Sequence, residues 1–150
     1  MPHIEEENRG LNIVILGADD FPEELYPKVK GVLLEYIENQ KVSMVTAGGD
    51  KMCMIYRLLC ELGSIYPSIF FSMILSNKAS YCCKNEKKIT ILSVDPKITY
   101  KDNENAAENR DNNILRGADI VLCRQCLKYS DINNIRFKSL NQNLQIMLFK

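Results

Sequence analysis

The chain has 150 residues, six cysteines and a formal net charge of zero, and 25% of its residues are charged. This length suits one domain that buries a core without disulfides or metal. Lys and Arg form no dense stripe, which argues against a nucleic-acid-binding surface. The longest apolar run, near residues 69–75, is far shorter than the ~20 residues that a membrane-spanning helix needs.

Residues 1–10 are polar, which predicts a flexible lead-in and not the apolar core of a signal peptide. Cysteines without such a signal are typical of free thiols, so we expect a cytoplasmic protein. No linker, repeat or low-complexity segment divides residues 11–150, and we expect them to form a single domain.

Apolar runs bounded by turn residues alternate along the chain with segments of helical periodicity. The predicted strands are 11–16, 42 up to the glycine pair at 48–49, 68–75, 89–94, 119–123 and 144–149. The predicted helices are 23–39, 51–62 with Gly63 at its end, 106–115, and a last short helix capped by Ser130 and Asp131. Residues 78–88 are polar and are predicted to be a short helix or a loop.

This alternation predicts an α/β three-layer sandwich around a mostly parallel sheet of five or six strands. In such folds, ligands bind beyond the carboxyl ends of the strands, where the strand order reverses. Four polar or glycine-rich segments follow predicted strands, at 17–20, 48–51, 76–77 and from Asp95 onward. Their convergence predicts a nucleotide-type ligand.

The segment around Gly48 and Gly49 predicts a strand, a tight turn and a helix N-terminus in succession. Without Cβ atoms, the turn can take positive φ and a ligand can approach the backbone. Unpaired N–H groups in the following helical turn favour an anion such as phosphate. The alternative is a turn that uses glycine only for its geometry.

The cysteines predict no metal site. Cys123 and Cys126 form a C-x-x-C pair, but Cys123 falls in a predicted strand, whereas a redox pair normally opens a helix. The adjacent Cys82 and Cys83 do not match the spaced pairs of a structural zinc site. His3 is the only histidine. We therefore expect neither a metal nor a cofactor.

Three short motifs resemble one branch of the SLOG superfamily, the Rossmann-like group that includes LOG-type nucleotide phosphoribohydrolases and bacterial DNA-processing protein A. Gly17-Ala18-Asp19-Asp20-Phe21 is similar to a Gly-Ser-Arg-Asp-Phe segment after the first strand. Gly48-Gly49 stands where the family has a second-strand glycine pair. Residues 106–115, followed by Ala118-Asp119, resemble the family's Ala-Gly-Pro-x-Arg-Asn-x-x-Met-Leu segment before an Ala-Asp strand. The matches span residues 11–123 in order.

The chain departs from the family pattern at three places. Residues 50–54 lack the third glycine and the aspartate of the second loop, and Asp19 replaces the basic residue of the first. The Pro-Gly-Gly-x-Gly-Thr-x-x-Glu motif of the phosphoribohydrolases is absent. The resemblance therefore implies a Rossmann-like fold and a nucleotide pocket with degenerate catalytic motifs, in a group often found in bacterial and phage conflict systems.

The candidate residues combine these strand ends with positions matched by the resemblance. The ligand-binding candidates are Gly17, Ala18, Asp19, Gly48, Gly49, Asp50, Lys51, Asn77, Arg110 and Asn113. A guanidinium at position 110 could clamp a phosphate in a bidentate manner, or could pair with Glu108 or Asp111 as an ordinary surface arginine. The weak catalytic candidates are Asp19, Asp20 and Glu108, although acids ahead of a helix more often cap it.

Three functions follow as expectations. The leading one is binding of a nucleotide or nucleotide-derived signal at the strand ends, without enzymatic activity. The alternatives are a hydrolase of the phosphoribohydrolase type and an interaction module with a degenerate pocket. The apolar helix faces also make a homodimer plausible, whereas no nucleic-acid or membrane partner is expected.

Overall fold

The computed structural model describes residues 9–50, 54–75, 90–93, 106–125 and 131–150. The strands are β1 (Leu11–Leu16), β2 (Val42–Gly48), β3 (Phe70–Leu75), β4 (Thr90–Ser93), β5 (Ile120–Arg124) and β6 (Gln145–Phe149). The helices of this part of the chain are α1 (Tyr26–Asn39), α2 (Met54–Ile65), α3 (Ala106–Leu115) and α4 (Ile132–Ser139). Two 3-10 turns, Ala18–Asp20 and Glu23–Leu25, lie between β1 and α1.

The strands form one sheet in the order β4-β3-β2-β1-β5-β6, and each neighbouring pair is parallel. This confirms the predicted α/β sandwich, which is Rossmann-like. The chain moves outward from β1 to β4 and then returns to place β5 on the other side of β1. The strand order therefore reverses between β1 and β5, and the carboxyl ends of these two strands border the crevice of the fold.

Alternate residues of β1 divide the core into two layers, because successive side chains of a strand point to opposite faces. Ile13 and Ile15 are buried with the apolar stripes of α1 and α2. Val14 and Leu16 are buried with α3 and α4 on the other face. The continuous apolar run of this strand is thus explained by burial on both sides.

Most predicted boundaries lie within two or three residues of the observed ones. The strand at 11–16 and the helix at 106–115 are confirmed with the same bounds. Asp131 caps α4 by accepting the Asn134 N–H at 3.1 Å. The segments 78–88 and 51–53 lie outside the described residues.

Two predictions of helix ends were wrong. Gly63 does not end α2, which continues to Ile65 and whose last turn is extended by Tyr66 N–H donating to the Leu62 carbonyl at 2.9 Å. Burial of the helix's apolar stripe outweighs the roughly 1 kcal/mol cost of one helical glycine. The segment predicted as the start of the first helix instead forms a 3-10 turn, and α1 begins at Tyr26 with a proline in its first turn.

None of the helices in the described ranges is long and apolar enough to cross a membrane.

A polar cluster joins α1 to α2. The Glu61 carboxylate accepts hydrogen bonds from Lys30 Nζ at 2.5 Å and from the Tyr26 hydroxyl. The hydrogen bond from Lys30, with that from Tyr26, lowers the pKa of Glu61. Desolvation, together with the hydrogen bond to Glu61, raises the pKa of Tyr26 to about 12. The cluster therefore favours an ionised Glu61 beside a neutral Tyr26.

We predict that replacing Glu61 with glutamine makes the free energy of unfolding depend less steeply on pH in the acid range. Because the pKa of Glu61 is lower in the folded chain, its stabilising contribution is present above the unfolded value of 4.5 and is lost as pH falls through the folded value. Urea unfolding at a series of pH values between about 7 and 3 measures this slope.

Glu38→Gln is the matched control, because Glu38 is exposed on α1 and has no hydrogen bond or ion pair within the described ranges. It should retain the wild-type slope. Parallel profiles for wild type and Glu61→Gln would contradict a stabilising role for the ionised carboxylate.

Candidate functional site

The loop after β1 begins with Gly17, whose backbone is in the left-handed region at φ 73°. A side chain is disfavoured in that conformation, so glycine is required for the turn. The Asp20 N–H donates to the Gly17 carbonyl at 3.0 Å and closes the 3-10 turn. This turn places Asp19 toward the loop that follows β2.

Gly48 and Gly49 do not use the positive φ that glycine permits; among the described glycines only Gly17 and Gly117 do. Their missing Cβ atoms leave space for the chain's own side chains. A Cβ on Gly48 would lie 2.9 Å from Asp111 Oδ1 and 3.0 Å from Arg110 Nε, and one on Gly49 would lie 2.8 Å from Asp19 Oδ1. The glycines thus permit α3 and the first loop to approach the end of β2.

The Asp19 carboxylate contacts the loop that follows the glycine pair. The backbone N–H of Asp50 donates to both Asp19 oxygens, at 3.0 and 2.9 Å. This contact joins the loops after β1 and β2. An N–H group of the glycine turn is therefore directed at an internal carboxylate.

Arg110 is only 3% exposed and contacts two carboxylates. Its Nη2 lies 3.1 Å from Asp111 Oδ1, to which Nε also donates at 3.1 Å. Its Nη1 lies 3.2 Å from Asp50 Oδ2, without the alignment of a hydrogen bond. The arginine is thus neither a surface residue nor a partner of Glu108.

These contacts define the acidic cluster, namely Asp50 and Asp111 beside the Arg110 guanidinium and Asp19 bound to the Asp50 N–H, at the carboxyl ends of β1 and β2. Three carboxylates and one guanidinium leave these four groups with an excess of negative charge when all are ionised. Carboxylates accept hydrogen bonds, so the Asp50 side chain, which is 28% exposed, can accept from hydroxyl or amine donors.

The other predicted site residues are more scattered. Ala18 is buried beside the acidic cluster, and Asp20 is exposed. Asn113 is exposed on α3, and the exposed Glu108 pairs with Lys138 of α4 at 3.5 Å. The two remaining candidates, Lys51 and Asn77, lie outside the described residues.

Arg124 was not among the predicted residues, yet it lies at the end of β5 beside the point where the strand order reverses. Its Nε donates to the Asp20 carbonyl at 3.1 Å, and its Nη1 donates to the Phe149 carbonyl at 3.0 Å. The signal that could have identified it is its position directly after a buried apolar strand. The sequence was interpreted there only as a cysteine pair.

The described cysteines form no metal site. Cys123 is buried in β5, and Cys60 is half-buried in α2. No group of three metal-ligating side chains occurs within the described ranges. Cys82, Cys83 and Cys126 lie outside them.

We predict that Gly49→Ala destabilises the protein by about 1–3 kcal/mol, because the new methyl group would overlap Asp19 and the Cβ of Ala18, 2.9 Å away. Gly31→Ala is the matched control: no atom lies within 4 Å of the added Cβ, and alanine favours the helix. It should raise stability by up to about 1 kcal/mol. Urea unfolding of both variants measures the difference, and a neutral Gly49→Ala would contradict the close packing of the two loops.

No protein-family model, curated protein or solved structure matches this chain. The strand order and the parallel pairing by themselves establish the Rossmann-like α/β fold. Membership of the SLOG superfamily stays a prediction from the sequence motifs.

Proposed function

We propose that this chain binds a nucleotide or nucleotide-derived small molecule at the carboxyl edge of its sheet. The observation that carries the proposal is the acidic cluster with its buried arginine, located beside the reversal of strand order. Open parallel sheets bind their ligands at this edge. The glycine at position 17 and the glycine pair at 48–49 bring two loop backbones together there.

The buried charges support a functional role because they are a poor way to stabilise a fold. Arg110 is 3% exposed and Asp111 is 4% exposed. Removing such ions from water costs about as much as their attraction returns, and apolar packing of the same volume is often more stable. Charged groups of this kind gather preferentially at binding and catalytic sites.

The hydrogen-bonding character of the cluster favours a ribose-containing ligand. Dinucleotide-binding folds place an acidic side chain after the second strand, where it binds ribose hydroxyls. Asp50 follows β2 here, and its side chain is 28% exposed, so a ligand can reach it. A nucleotide also offers the anionic group that a Rossmann-like edge commonly binds.

Within this proposal, we favour ligand sensing over turnover. The resemblance to SLOG proteins suggests a nucleotide-derived signal in a bacterial or phage conflict system, while the phosphoribohydrolase motif is absent. Of the acids considered for catalysis, Asp19 accepts two hydrogen bonds from the Asp50 N–H and Glu108 pairs with a surface lysine. Neither arrangement favours a hydrolase.

An interaction module is the second candidate, and the Asp19 contact with the Asp50 N–H favours it. A carboxylate from the chain itself replaces an external anion at this donor. Large apolar side chains are also exposed in the described ranges and would suit a self-interface, namely Ile65, Phe70, Phe137, Leu140 and Met147.

We predict that at least one nucleotide-type compound raises the melting temperature of the protein. The compounds to be screened are nucleoside monophosphates, nucleoside diphosphates, NAD, ADP-ribose and cyclic nucleotides. At 100 times its dissociation constant a ligand adds about 2.7 kcal/mol, which corresponds to a shift of several degrees for a domain of this size. Hydrogen exchange should then show protection of residues 17–25 and 48–50, with residues 117–119 at the opposite edge as an internal control.

A folded protein with no thermal shift from any of these compounds would refute the proposal. In that case, sedimentation would test the interaction module through self-association. A shift with protection confined to residues 117–119 would place the ligand elsewhere and would also refute the proposed site.

A further inference from the structure

We propose that Arg124, and not Arg110, binds the phosphate of the nucleotide. This inference rests on the proposed function and specifies which side chain holds the anionic part of the ligand. It depends on where the two arginines lie, on what each contacts, and on the charge around each.

Arg124 lies closer to the reversal of strand order than Arg110 does. It is the last residue of β5, and the preceding residue, Cys123, is paired in register with Leu16 at the end of β1. Arg110 instead packs over Gly48 at the end of β2. Ligands of open parallel sheets bind in the crevice beyond the carboxyl ends of the strands, at the point where the strand order reverses.

The contacts of Arg124 hold its guanidinium without neutralising it. Both acceptors, the carbonyl oxygens of Asp20 and Phe149, are uncharged. Within the described ranges no carboxylate lies within ion-pair distance of Arg124, whereas Arg110 contacts Asp50 and Asp111. A guanidinium has five N–H donors in a planar fork, so donors and a full positive charge remain for a ligand.

Phe149, whose carbonyl accepts a hydrogen bond from Arg124, is buried and contacts a second cation. The Phe149 ring is fully buried against Phe21, with ring centroids 5.7 Å apart. The Nζ of Lys28 lies 5.9 Å from the centroid of the Phe149 ring. Arg124 donates to the Phe149 carbonyl and Lys28 lies over the Phe149 ring, so two cations contact this residue at the carboxyl end of β6.

The two charged regions favour one orientation of the bound ligand. Because β2 and β5 flank β1, their ends lie about 10 Å apart at ordinary strand spacing. One nucleotide can span this distance, with its ribose hydroxyls toward Asp50 and its phosphate toward Arg124. The opposite orientation would place a phosphate against three carboxylates.

The test compares a nucleoside monophosphate with the matching unphosphorylated nucleoside, using the base preferred by the wild type. We expect Arg124→Gln to weaken monophosphate binding about 10- to 100-fold in calorimetry, the range expected for one charged hydrogen-bonding contact. Nucleoside binding should change less than about twofold, because the nucleoside has no group for Arg124 to bind. Arg116→Gln is the matched control, since Arg116 is exposed at the amino edge and should leave both affinities unchanged.

Arg124→Lys provides a second variant if the glutamine variant does not fold. An ammonium keeps the charge but cannot bind a phosphate through a planar fork, so a smaller loss confined to the monophosphate is expected. Equal losses for nucleotide and nucleoside would indicate a purely structural arginine and overturn the inference. Unchanged monophosphate binding in Arg124→Gln would overturn it while leaving the proposed function intact, whereas a wild type that binds neither compound would overturn both.

Discussion

The hydrogen bonds from the Asp50 N–H to the Asp19 carboxylate are the constraint on which the carboxyl edge depends. They tie together two loops that are 31 residues apart in the chain and that follow neighbouring strands. Gly49 permits this approach, because a Cβ there would overlap Asp19 and Ala18, and Gly48 leaves room for Asp111 and Arg110 of α3. Arg110 then joins α3 to the loop after β2 through Asp50.

This arrangement separates the edge into two electrostatic regions. The acidic cluster lies over the ends of β1 and β2, and the guanidinium of Arg124 lies over the ends of β5 and β6. The same parallel sheet positions both, so their relation depends on strand order and not on flexible side chains. Such a division suits a ligand that has hydroxyl donors at one end and a negative charge at the other.

The fold could be predicted almost fully from the sequence, because its signals are local. The continuous apolar run of β1 reflects burial of that strand on both faces. The alternation of strands with helices can be recognised from the hydrophobic pattern within each segment. The end of α2 was missed because burial of the helix's apolar stripe outweighed the tendency of Gly63 to end a helix. At the site, the glycine pair was recognised but its purpose was not, since the partners of Gly48 come from α3, more than sixty residues later. Arg124 was missed because only the strand order reveals that β5 lies beside β1.

Arg124 is anchored on main-chain oxygens, and this has a consequence for how the two halves of the edge tolerate sequence change. Any residue at positions 20 and 149 that keeps the backbone path presents the same carbonyl groups to the guanidinium. The acidic half is different, because its contacts run through the carboxylates of Asp19, Asp50 and Asp111. Substitutions at positions 20 and 149 therefore leave the acceptors of Arg124 in place, whereas substitution of Asp50 or Asp111 removes a charged contact of Arg110.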